Sequence, residues 1–569
     1  MDSIKDLRIA RGMTQAECAE YLGISRRRYQ QLEANGINQE SARYQHYCAL
    51  LKQGEKTVPP KESFHTRVLC GDALAPLHAT VASWKRRRCY KYLQDFVHGN
   101  YIGKVCILYG LRRTGKTTMI FQLLGELDPE ITAYLKMSEA NTMGDLIKDL
   151  NLLKQRGYRY VFIDEITLLQ DFINAAGTLS DIYANMGMKL VLSGTDSLGF
   201  AFADMDELYD RNVMIHTSFI PFGEFCEVLG DKGIDEYIEY GGTLKAENMG
   251  FDDPDYKNDE VCFRNDESTR KYIDTSIVRN IQRSLRNDLF EQKFAGLRAL
   301  YEKGELTNAI NRIIDDMNHR FLLSVVERKF HSSDYGSGRN LLLREEDPAV
   351  QTALYDIDAE EVFVAMKSLL DIKEKEETTV ALTQEDINQI RQYLLLLDLI
   401  RVVKVRYDNG SSEQRDVFVQ PGMRYAITKA LVHSLLQNSR FLSYTRSQKQ
   451  VIIDKILNDV KGRMLEDIVL LETSTKRQKE EVFQYRFVAG GEFDMVRYPQ
   501  DGSFQLYEIK HSKEIVFESQ TKYLRNPALL DYATHHFGQM KERIVLYRGE
   551  DTQIEGIVYQ NVENYLKGL

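Results

Sequence analysis

The chain has 569 residues, which is enough for about three or four domains. Its 43% hydrophobic and 10% aromatic content excludes a disordered or fibrous protein, and its net charge of −10 excludes a uniformly basic nucleic-acid coat. Any contact with nucleic acid must therefore come from local patches.

No targeting or membrane segment is evident. The first residues lack an apolar run after a basic start, and the longest apolar stretch, 393–400, is too short and too charged to span a bilayer. The seven cysteines form no Cys-x-x-Cys pair, which favours inert thiols over a zinc site or disulfides. We therefore expect a cytoplasmic protein with no membrane partner.

Two short helices are predicted near the N-terminus. Thr14 is placed to cap a helix over 15–22, and Ser25 to cap a second over 26–33, with Gly23 in the turn between them. The alternation of short helices and a tight turn predicts a small all-α domain.

This region resembles the lambda-repressor-like helix-turn-helix family. The resemblance is carried by Leu7-Arg8, Met13-Thr14-Gln15, Ala19, Leu22-Gly23-Ile24-Ser25 and Leu32-Glu33. In that family the second helix lies in the major groove, and its N-terminal residues touch base edges. The resemblance implies that Gln15 contacts a phosphate. The other implied DNA contacts are Arg26, Arg27, Arg28 and Gln31. The alternative is a helical bundle whose arginines are merely solvated, but Arg and Gln are residue types that read bases.

A linker is predicted over 54–84, where Gly54 to Lys61 carries glycine, two prolines and charges. The run Trp84-Lys85-Arg86-Arg87-Arg88 then opens the next domain. A solvated helix face is the favoured interpretation of these basic residues over contact with DNA.

A phosphate-binding loop follows. The apolar strand 105–109 runs into Gly110-Leu111-Arg112-Arg113-Thr114-Gly115-Lys116-Thr117-Thr118, which is G-x-x-x-x-G-K-T between a strand and a helix. Backbone amides and the helix N-terminus bind phosphate oxygens in this pattern. Lys116 is expected to reach the β and γ phosphates, and Thr117 to ligate Mg²⁺.

Two further strands complete the predicted ATP site. The strand 158–163 ends in Asp164-Glu165, which places one carboxylate on Mg²⁺ and the other beside the attacking water. The strand 189–192 ends in Ser193-Gly194-Thr195, polar residues placed to sense the γ-phosphate. The nucleotide ligands we expect are Gly110, Arg113, Thr114, Gly115, Lys116, Thr117, Thr118, Asp164, Thr195 and Arg211.

This part of the chain resembles the bacterial and archaeal AAA+-superfamily ATPases that carry a nuclease-like C-terminal domain. The matching stretches are 108–118, 162–166, 192–195, 220–225 and 240–242. The resemblance makes Arg211 a candidate phosphate-sensing arginine. A structural ion pair is an equally good interpretation of Arg211.

The middle of the chain is predicted to be a lid. Residues 245–270 read as an exposed acidic insertion, and 272–330 as helices. Thr383 is placed to cap a helix over 384–397, and strands 399–407 and 415–419 form a hairpin around Asn409-Gly410. Helix and hairpin together predict a winged-helix shape, for which inter-domain packing is favoured over DNA binding because the helix is leucine-rich.

A charged pattern marks the C-terminal region. Asp494 is followed by a turn at 499–502 and then by Glu508-Ile509-Lys510 on the next strand. Because side chains alternate along a strand, Glu508 and Lys510 project from the same side. Two carboxylates and a lysine would hold a hard divalent cation and position water against a phosphodiester.

Residues 462–510 resemble the PD-(D/E)XK nuclease fold in the order of a helical Glu, a strand Asp and Glu-x-Lys. The resemblance implies that Asp494 and Glu508 ligate Mg²⁺ or Mn²⁺, that Lys510 activates water, and that Glu466 supports the metal. Gln520 and Tyr523 are weaker candidates on the helix that follows. The alternative is a relic fold that keeps Glu508 and Lys510 as an exposed ion pair.

The sequence therefore predicts a multidomain α/β protein. Its segments are a helix-turn-helix domain over 1–53, a linker over 54–84, an ATPase core over 85–240, a helical and winged-helix lid over 241–435 and a nuclease-like domain over 436–569. The predicted catalytic residues are Lys116, Glu165, Asp494, Glu508 and Lys510, and the metal ligands are Thr117, Asp164, Glu466, Asp494 and Glu508.

The predicted function is that of a DNA-binding ATPase that couples ATP and Mg²⁺ to a nuclease-like domain, in defence against foreign DNA. An ATP-switched transcriptional regulator with an inactive nuclease fold is the alternative. A homo-oligomer is compatible with either function.

Overall fold

The computed structural model describes the chain except for residues 1, 2, 11, 25, 36–41, 53–62, 170, 206, 231, 245–262, 285–293, 332–358, 377–380 and 500. The predicted Ser25 cap, most of the 54–61 linker stretch and most of the acidic insertion lie outside the described residues. Within the described part, no helix has the length and apolar content needed to cross a bilayer.

Four helices form the N-terminal domain, as predicted from the turn and capping signals. They are α1 (Ile4–Ala10), α2 (Gln15–Tyr21), α3 (Arg26–Asn35) and α4 (Ala42–Lys52). The Thr14 hydroxyl accepts from the Glu17 amide at 3.2 Å, and the Glu17 carboxylate accepts from the Thr14 amide at 2.8 Å. This reciprocal cap confirms the predicted start of α2. Ile4, Cys18, Ala19 and Tyr29 form a buried core between the helices.

A six-stranded sheet organises the second domain. Its strands are β1 (Arg67–Cys70), β2 (Val105–Tyr109), β3 (Thr132–Lys136), β4 (Tyr160–Asp164), β5 (Lys189–Gly194) and β6 (Asn212–His216), in the order β1-β3-β4-β5-β2-β6. All neighbours are parallel except β1, which pairs with β3 antiparallel at the edge. The carboxyl ends of the parallel strands therefore lie at one edge, where ligands bind in open α/β sheets.

Helices cover this sheet, and the central strands are apolar on both faces. The helices are α5 (Ala75–Ala79), α6 (Tyr90–His98), α7 (Lys116–Leu124), α8 (Met143–Gln155), α9 (Phe172–Thr178) and α10 (Ser197–Met205). Two cores result, one containing Ile107 and Ile163 and the other containing Leu108 and Phe162. Neighbouring strand residues thus point into opposite cores, as parallel strands buried on both sides require.

The middle of the chain is helical. Its helices are α11 (Phe222–Leu229), α12 (Ile234–Tyr240), α13 (Asp266–Ile273), α14 (Arg279–Ser284), α15 (Ala295–Glu302), α16 (Leu306–His331), α17 (Ala359–Glu376) and α18 (Gln384–Leu396). The Thr383 hydroxyl accepts from the Asp386 amide at 3.2 Å, and the Asp386 carboxylate accepts from the Thr383 amide at 2.9 Å. The predicted start of α18 is therefore confirmed.

The C-terminal domain contains an eight-stranded mixed sheet. Its strands are β7 (Ile400–Tyr407), β8 (Ser412–Phe418), β9 (Glu481–Arg486), β10 (Glu492–Tyr498), β11 (Ser503–Ile509), β12 (Gln539–Tyr547), β13 (Thr552–Ile554) and β14 (Ile557–Asn561). The strand order is β13-β14-β12-β11-β10-β9-β7-β8. Helix α19 (Pro421–Leu435) follows β8 as a connection. The other helices of the domain are α20 (Arg446–Lys476), α21 (Phe517–Gln520), α22 (Pro527–Phe537) and α23 (Val562–Lys567).

The hairpin at 400–418 differs from the predicted wing. β7 pairs with β8 as expected, but β7 also pairs in parallel with β9, from Lys404 with Phe483 to Tyr407 with Arg486. The hairpin is therefore the edge of the C-terminal sheet rather than a free wing. Pairing satisfies the backbone groups that an isolated strand edge would expose, which is the physical reason for this arrangement.

Candidate functional site

The loop between β2 and α7 has the backbone shape of a phosphate cradle. Gly110 has φ of +139°, and a Cβ there would lie 2.6 Å from the Thr217 hydroxyl oxygen. Gly115 has φ of +92°, and Arg113 also lies in the left-handed region at +61°. Thr114 is fully buried, and its hydroxyl donates to the Leu111 carbonyl at 2.8 Å. Both glycines are therefore required by the close backbone approach.

Lys116 begins α7 and is almost fully buried under this loop. Its ammonium donates to the carbonyls of Gly110 and Leu111, each at 2.8 Å. Burial lowers the Lys116 pKa to about 8, against the opposing attraction of Glu165 and Asp164. The loop is thus held closed by the side chain that was predicted to reach ATP phosphates.

The predicted Mg²⁺ ligands lie together at the carboxyl edge of the sheet. The Thr117 hydroxyl donates to the Asp164 carboxylate at 3.0 Å, and the Tyr134 hydroxyl donates to the same oxygen at 2.9 Å. Ser193 donates to the other Asp164 oxygen. Hard carboxylate and hydroxyl oxygens are the donors that Mg²⁺ prefers, so this pair fits the ion.

Glu165 follows Asp164 in the left-handed conformation, with φ of +58°. Burial and the neighbouring Asp164 carboxylate both raise the Glu165 pKa. A carboxylate with a raised pKa next to the Mg²⁺ pair suits acceptance of a proton from water.

The two remaining nucleotide candidates lie in different places. The Thr195 hydroxyl, at the end of β5, donates to the Asn280 side chain of α14 at 3.0 Å. Arg211 precedes β6, level with the start of β2, because Val105 pairs with Asn212. Its guanidinium contacts both Asp181 carboxylate oxygens, at 2.8 and 2.9 Å. Arg211 is therefore at the opposite edge from the phosphate loop of its own chain and forms the structural ion pair. Thr118 lies half-buried in the first turn of α7.

Arg87 is a functional residue that the sequence interpretation missed. It lies in the basic run assigned to a solvated face, yet only 5% of it is exposed. Its guanidinium donates to the Thr114 carbonyl at 2.6 Å, the Thr217 carbonyl at 2.8 Å and the Glu224 carboxylate at 2.6 Å. Arg87 thus ties the phosphate loop to α11. The sequence offered one signal for this contact. Glu224 is an acidic residue among apolar ones in the stretch Pro-Phe-Gly-Glu-Phe.

The helix-turn-helix exposes its basic face. Arg26, Arg27 and Gln31 are exposed on α3, whereas Arg28 is half-buried and lies 3.7 Å from Glu130 of the ATPase domain. The Gln15 side chain donates to Glu33 at 2.6 Å. Three of the predicted contacts of α3 are therefore exposed, whereas Arg28 faces the ATPase domain and Gln15 is half-buried and bound to Glu33.

Three predicted residues meet in the C-terminal sheet. The Lys510 ammonium lies 2.5 Å from Glu508 and 3.5 Å from Asp494, and the Ile509 amide donates to Asp494 at 2.8 Å. Asp494 and Glu508 are 1% and 5% exposed, so both carboxylates are buried. β10 and β11 pair antiparallel, which brings the two carboxylates to one end of the sheet.

The predicted metal ligand Glu466 and the weaker candidates Gln520 and Tyr523 have other surroundings. Glu466 lies on α20 and forms an ion pair with Arg463. Gln520 is buried and holds the loop before α21 through the Val516 amide and the Glu514 carbonyl. The Tyr523 ring packs against Gly491, where a Cβ would lie 2.9 Å away. The described residues contain no group of three or more His, Cys, Asp or Glu side chains arranged to hold a metal ion.

Two known families match parts of the chain. Residues 103–226 match the family described as an AAA domain, and residues 4–41 match the family described as helix-turn-helix. No curated protein matches the chain. The chain therefore contains an AAA-type ATPase domain and an N-terminal helix-turn-helix, and these two domains fit a DNA-binding ATPase. Neither match extends to the C-terminal sheet.

Proposed function

We propose that this protein is a DNA-binding ATPase in which ATP binding and hydrolysis control phosphodiester cleavage by the C-terminal domain. The observation that carries the proposal is the convergence of Asp494, Glu508 and Lys510 at one end of the sheet. The combination of DNA recognition, ATP turnover and cleavage suits defence against foreign DNA, and that role belongs to the proposal.

In the ATPase domain, each polar residue at the sheet edge has a distinct role. Lys116 would exchange its two carbonyl acceptors for phosphate oxygens, while Thr117 and Asp164 would hold the Mg²⁺ that accompanies ATP. Glu165 orients water and accepts its proton, and Thr195 faces the γ-phosphate from β5. Hydrolysis is driven by positioning and charge rather than by covalent chemistry.

In the C-terminal domain, Asp494 and Glu508 would hold Mg²⁺ or Mn²⁺. Their buried oxygens are hard donors, and both are already gathered around one ammonium group. A bound divalent ion there would polarise the scissile phosphate. Lys510 would then orient water and stabilise the developing negative charge. Glu466 would contribute from α20 by leaving its ion pair with Arg463.

A second function is favoured by one observation. The described residues hold no three-ligand metal cluster, and Glu466 is engaged by Arg463. A domain with two carboxylates bound to a lysine suits an ATP-switched transcriptional regulator that binds DNA without cutting it. Such a regulator would keep sequence-specific binding and ATP turnover.

Plasmid cleavage separates these two functions. Purified protein is incubated with supercoiled and linear DNA in Mg²⁺ or Mn²⁺, with and without ATP, beside Asp494→Ala as the control for contaminating nuclease. We expect cleavage that disappears in Asp494→Ala and depends on ATP. Intact ATP turnover without cleavage under any of these conditions would establish the regulator instead.

A further inference from the structure

Three basic side chains from three separate elements surround a single carboxylate. Asp235 of α12 lies 2.8 Å from His511, 2.7 Å from Arg548 and 3.7 Å from Lys461 of α20. Lys461 also lies 2.5 Å from Glu239, one turn further along α12. We refer to Lys461, His511 and Arg548 as the cation cluster; Lys461 and Arg548 carry its charge, and His511 contributes a ring nitrogen.

The cation cluster lies at the same end of the C-terminal sheet as the predicted cleavage residues. His511 directly follows Lys510, whose amide donates to the Leu546 carbonyl of β12 at 2.8 Å. Arg548 follows the end of β12, and its amide donates to the Ser512 carbonyl at 3.0 Å. The cluster is therefore fixed by the backbone of β11 and β12, one residue beyond the Glu-x-Lys segment.

The cluster is sheltered and offers more donors than Asp235 uses. The side chains of His511 and Arg548 are 12% and 14% exposed. The buried Nε of Arg548 has no hydrogen-bond acceptor in the part of the chain that the structure describes. Sheltered cations attract an anion more strongly than solvated ones, because solvent screening is reduced. The pKa of Asp235 reflects this attraction. Burial alone would raise that pKa, but His511, Arg548 and Lys461 hold it far below its usual value.

The carboxylates come from a different domain than the cations. Asp235 and Glu239 belong to α12, which follows the ATPase sheet, whereas the cation cluster belongs to the C-terminal domain. A phosphodiester carries one negative charge on two non-bridging oxygens, as a carboxylate does, so the same donors can hold either anion, and arginine suits both.

We propose that the cation cluster is a binding subsite for a nucleic-acid phosphate next to the cleavage site, and that Asp235 occupies this subsite in the closed arrangement of the protein. The proposal rests on the proposed cleavage function, to which it adds the site of substrate binding. On this proposal, a nucleic-acid phosphate displaces Asp235 from the cation cluster. The carboxylates of α12 therefore act as an internal substitute for phosphate.

The nucleotide site is mechanically connected to this substitute. Arg87 joins the Thr114 carbonyl of the phosphate loop to Glu224 of α11, and α12 follows α11 after a short turn. A change at the phosphate loop on ATP binding can therefore shift α12. This connection gives ATP a route to the phosphate subsite without any direct contact between them.

DNA binding in an uncleavable background tests the proposal. All proteins carry Asp494→Ala, together with Arg26→Ala and Arg27→Ala to weaken the helix-turn-helix, and anisotropy of a labelled duplex is measured across salt. We expect Asp235→Asn to tighten binding by about tenfold and to steepen the salt slope by about one unit, the effect of about one added phosphate contact. Adding Arg548→Gln should abolish this gain.

The matched control is Glu227→Gln on α11, which removes the same charge from the solvent-exposed ion pair with Arg88. If Asp235→Asn binds no more tightly than Glu227→Gln, the proposal is overturned. Should Asp235→Asn fail to fold, as judged by its thermal melt, Glu239→Gln must give a smaller gain in the same direction, and no gain overturns the proposal. Competition by inorganic phosphate distinguishes a free-phosphate site from a nucleic-acid one.

Failure of the proposed cleavage function has a different signature. Tighter binding by Asp235→Asn without cleavage when Asp494 is intact would support the phosphate subsite and refute the nuclease. ATP-dependent cleavage by the wild-type protein without any effect of Asp235→Asn on binding would support the nuclease and refute the phosphate subsite.

Discussion

Lys116 shows how a single residue serves two states of the nucleotide site. Its ammonium is enclosed and bound to two carbonyls, and burial lowers its pKa to about 8. The phosphates of ATP bring negative charge to the same ammonium, which favours its protonated form. Nucleotide binding and protonation of Lys116 are therefore coupled.

The coupling predicts proton uptake on nucleotide binding above pH 8. At about pH 9 a Lys116 with a pKa of about 8 is largely neutral in the free protein and becomes charged when ATP binds. Titration calorimetry in two buffers of different ionisation enthalpy measures the uptake directly. At pH 6.5 the uptake from this group should vanish. An unchanged uptake in a variant that still binds nucleotide but carries Lys116→Ala would assign the proton to another group.

Arg87 and Arg88 are adjacent residues with opposite surroundings. Arg87 is buried against Glu224 and three backbone carbonyls, whereas the Arg88 side chain pairs with Glu227 and is 32% exposed. A buried pair broken on one side leaves an uncompensated charge, while an exposed pair contributes little. Arg87 is therefore expected to contribute more to the free energy of unfolding than Arg88.

We expect Arg87→Ala to lower the free energy of unfolding by about 3–5 kcal/mol and to raise KM for ATP. Arg88→Ala should cost about 0–1 kcal/mol and leave ATP turnover near wild type. Denaturant unfolding and steady-state ATPase assays measure both variants side by side. Equal losses of stability and ATP turnover in the two variants would show that the contact of Arg87 with the phosphate loop contributes no more than the exposed ion pair of Arg88.

At the scale of elements, α20 joins the C-terminal sheet to the ATPase domain. Glu472 of α20 accepts from the Phe222 amide at the start of α11 at 2.7 Å and is only 2% exposed. Burial raises the Glu472 pKa to about 8, and the hydrogen bond from Phe222 opposes the shift only in part. Glu472 thus lies between the two domains as a carboxyl that prefers to be neutral.

This raised pKa predicts a pH dependence of stability. The folded protein retains a proton on Glu472 between about pH 4.5 and 8 that the unfolded chain has lost, so the contribution of Glu472 to stability falls as pH rises through that window. Glu472→Gln cannot titrate and should flatten this part of the profile, with Tm above the wild-type value at pH 8. Thermal melts from pH 5 to 8.5 check it. Parallel profiles for the two proteins would contradict the assignment.

At the scale of the whole molecule, the helix-turn-helix and the AAA-type ATPase domain are separate parts of the chain. The exposed arginines of α3 face outward, and the ATPase and C-terminal domains share buried contacts such as that of Glu472. The net charge of −10 makes the basic surface of α3 the principal attraction for DNA outside the C-terminal domain. DNA affinity should therefore depend on α3 independently of ATP turnover.

We expect Arg27→Ala to weaken binding to the preferred DNA site by about 1–3 kcal/mol and to relax specificity, with ATP turnover unchanged. Arg86→Ala is the matched control, because Arg86 pairs with Glu126 in the ATPase domain and is half-exposed. Competition binding with specific and random duplexes measures both affinity and specificity. An equal loss in the two variants would indicate a purely electrostatic effect.

Local patterns in the sequence predicted several helices and strands well. The caps at Thr14 and Thr383, the strand before Gly110 and the strand ending in Asp164 depend on neighbours within a few residues, and the structure has them where they were predicted. The partners of Arg87, Glu472 and Asp235 lie far away in the chain, and no periodicity or spacing reveals them. The hairpin at 400–418 was identified correctly, but not its pairing with β9.

By itself, the sequence determined the chemistry available to this protein: a phosphate loop with its carboxylates, a basic recognition helix and a Glu-x-Lys strand. These motifs can be recognised in short stretches of sequence because the geometry of strands and helices repeats every two to four residues. Only the tertiary structure decided that Arg87 is buried, that Arg211 lies away from the phosphate loop and that Asp235 faces the cation cluster. Those outcomes depend on burial and on charges meeting across domains, which arise only when distant segments pack together.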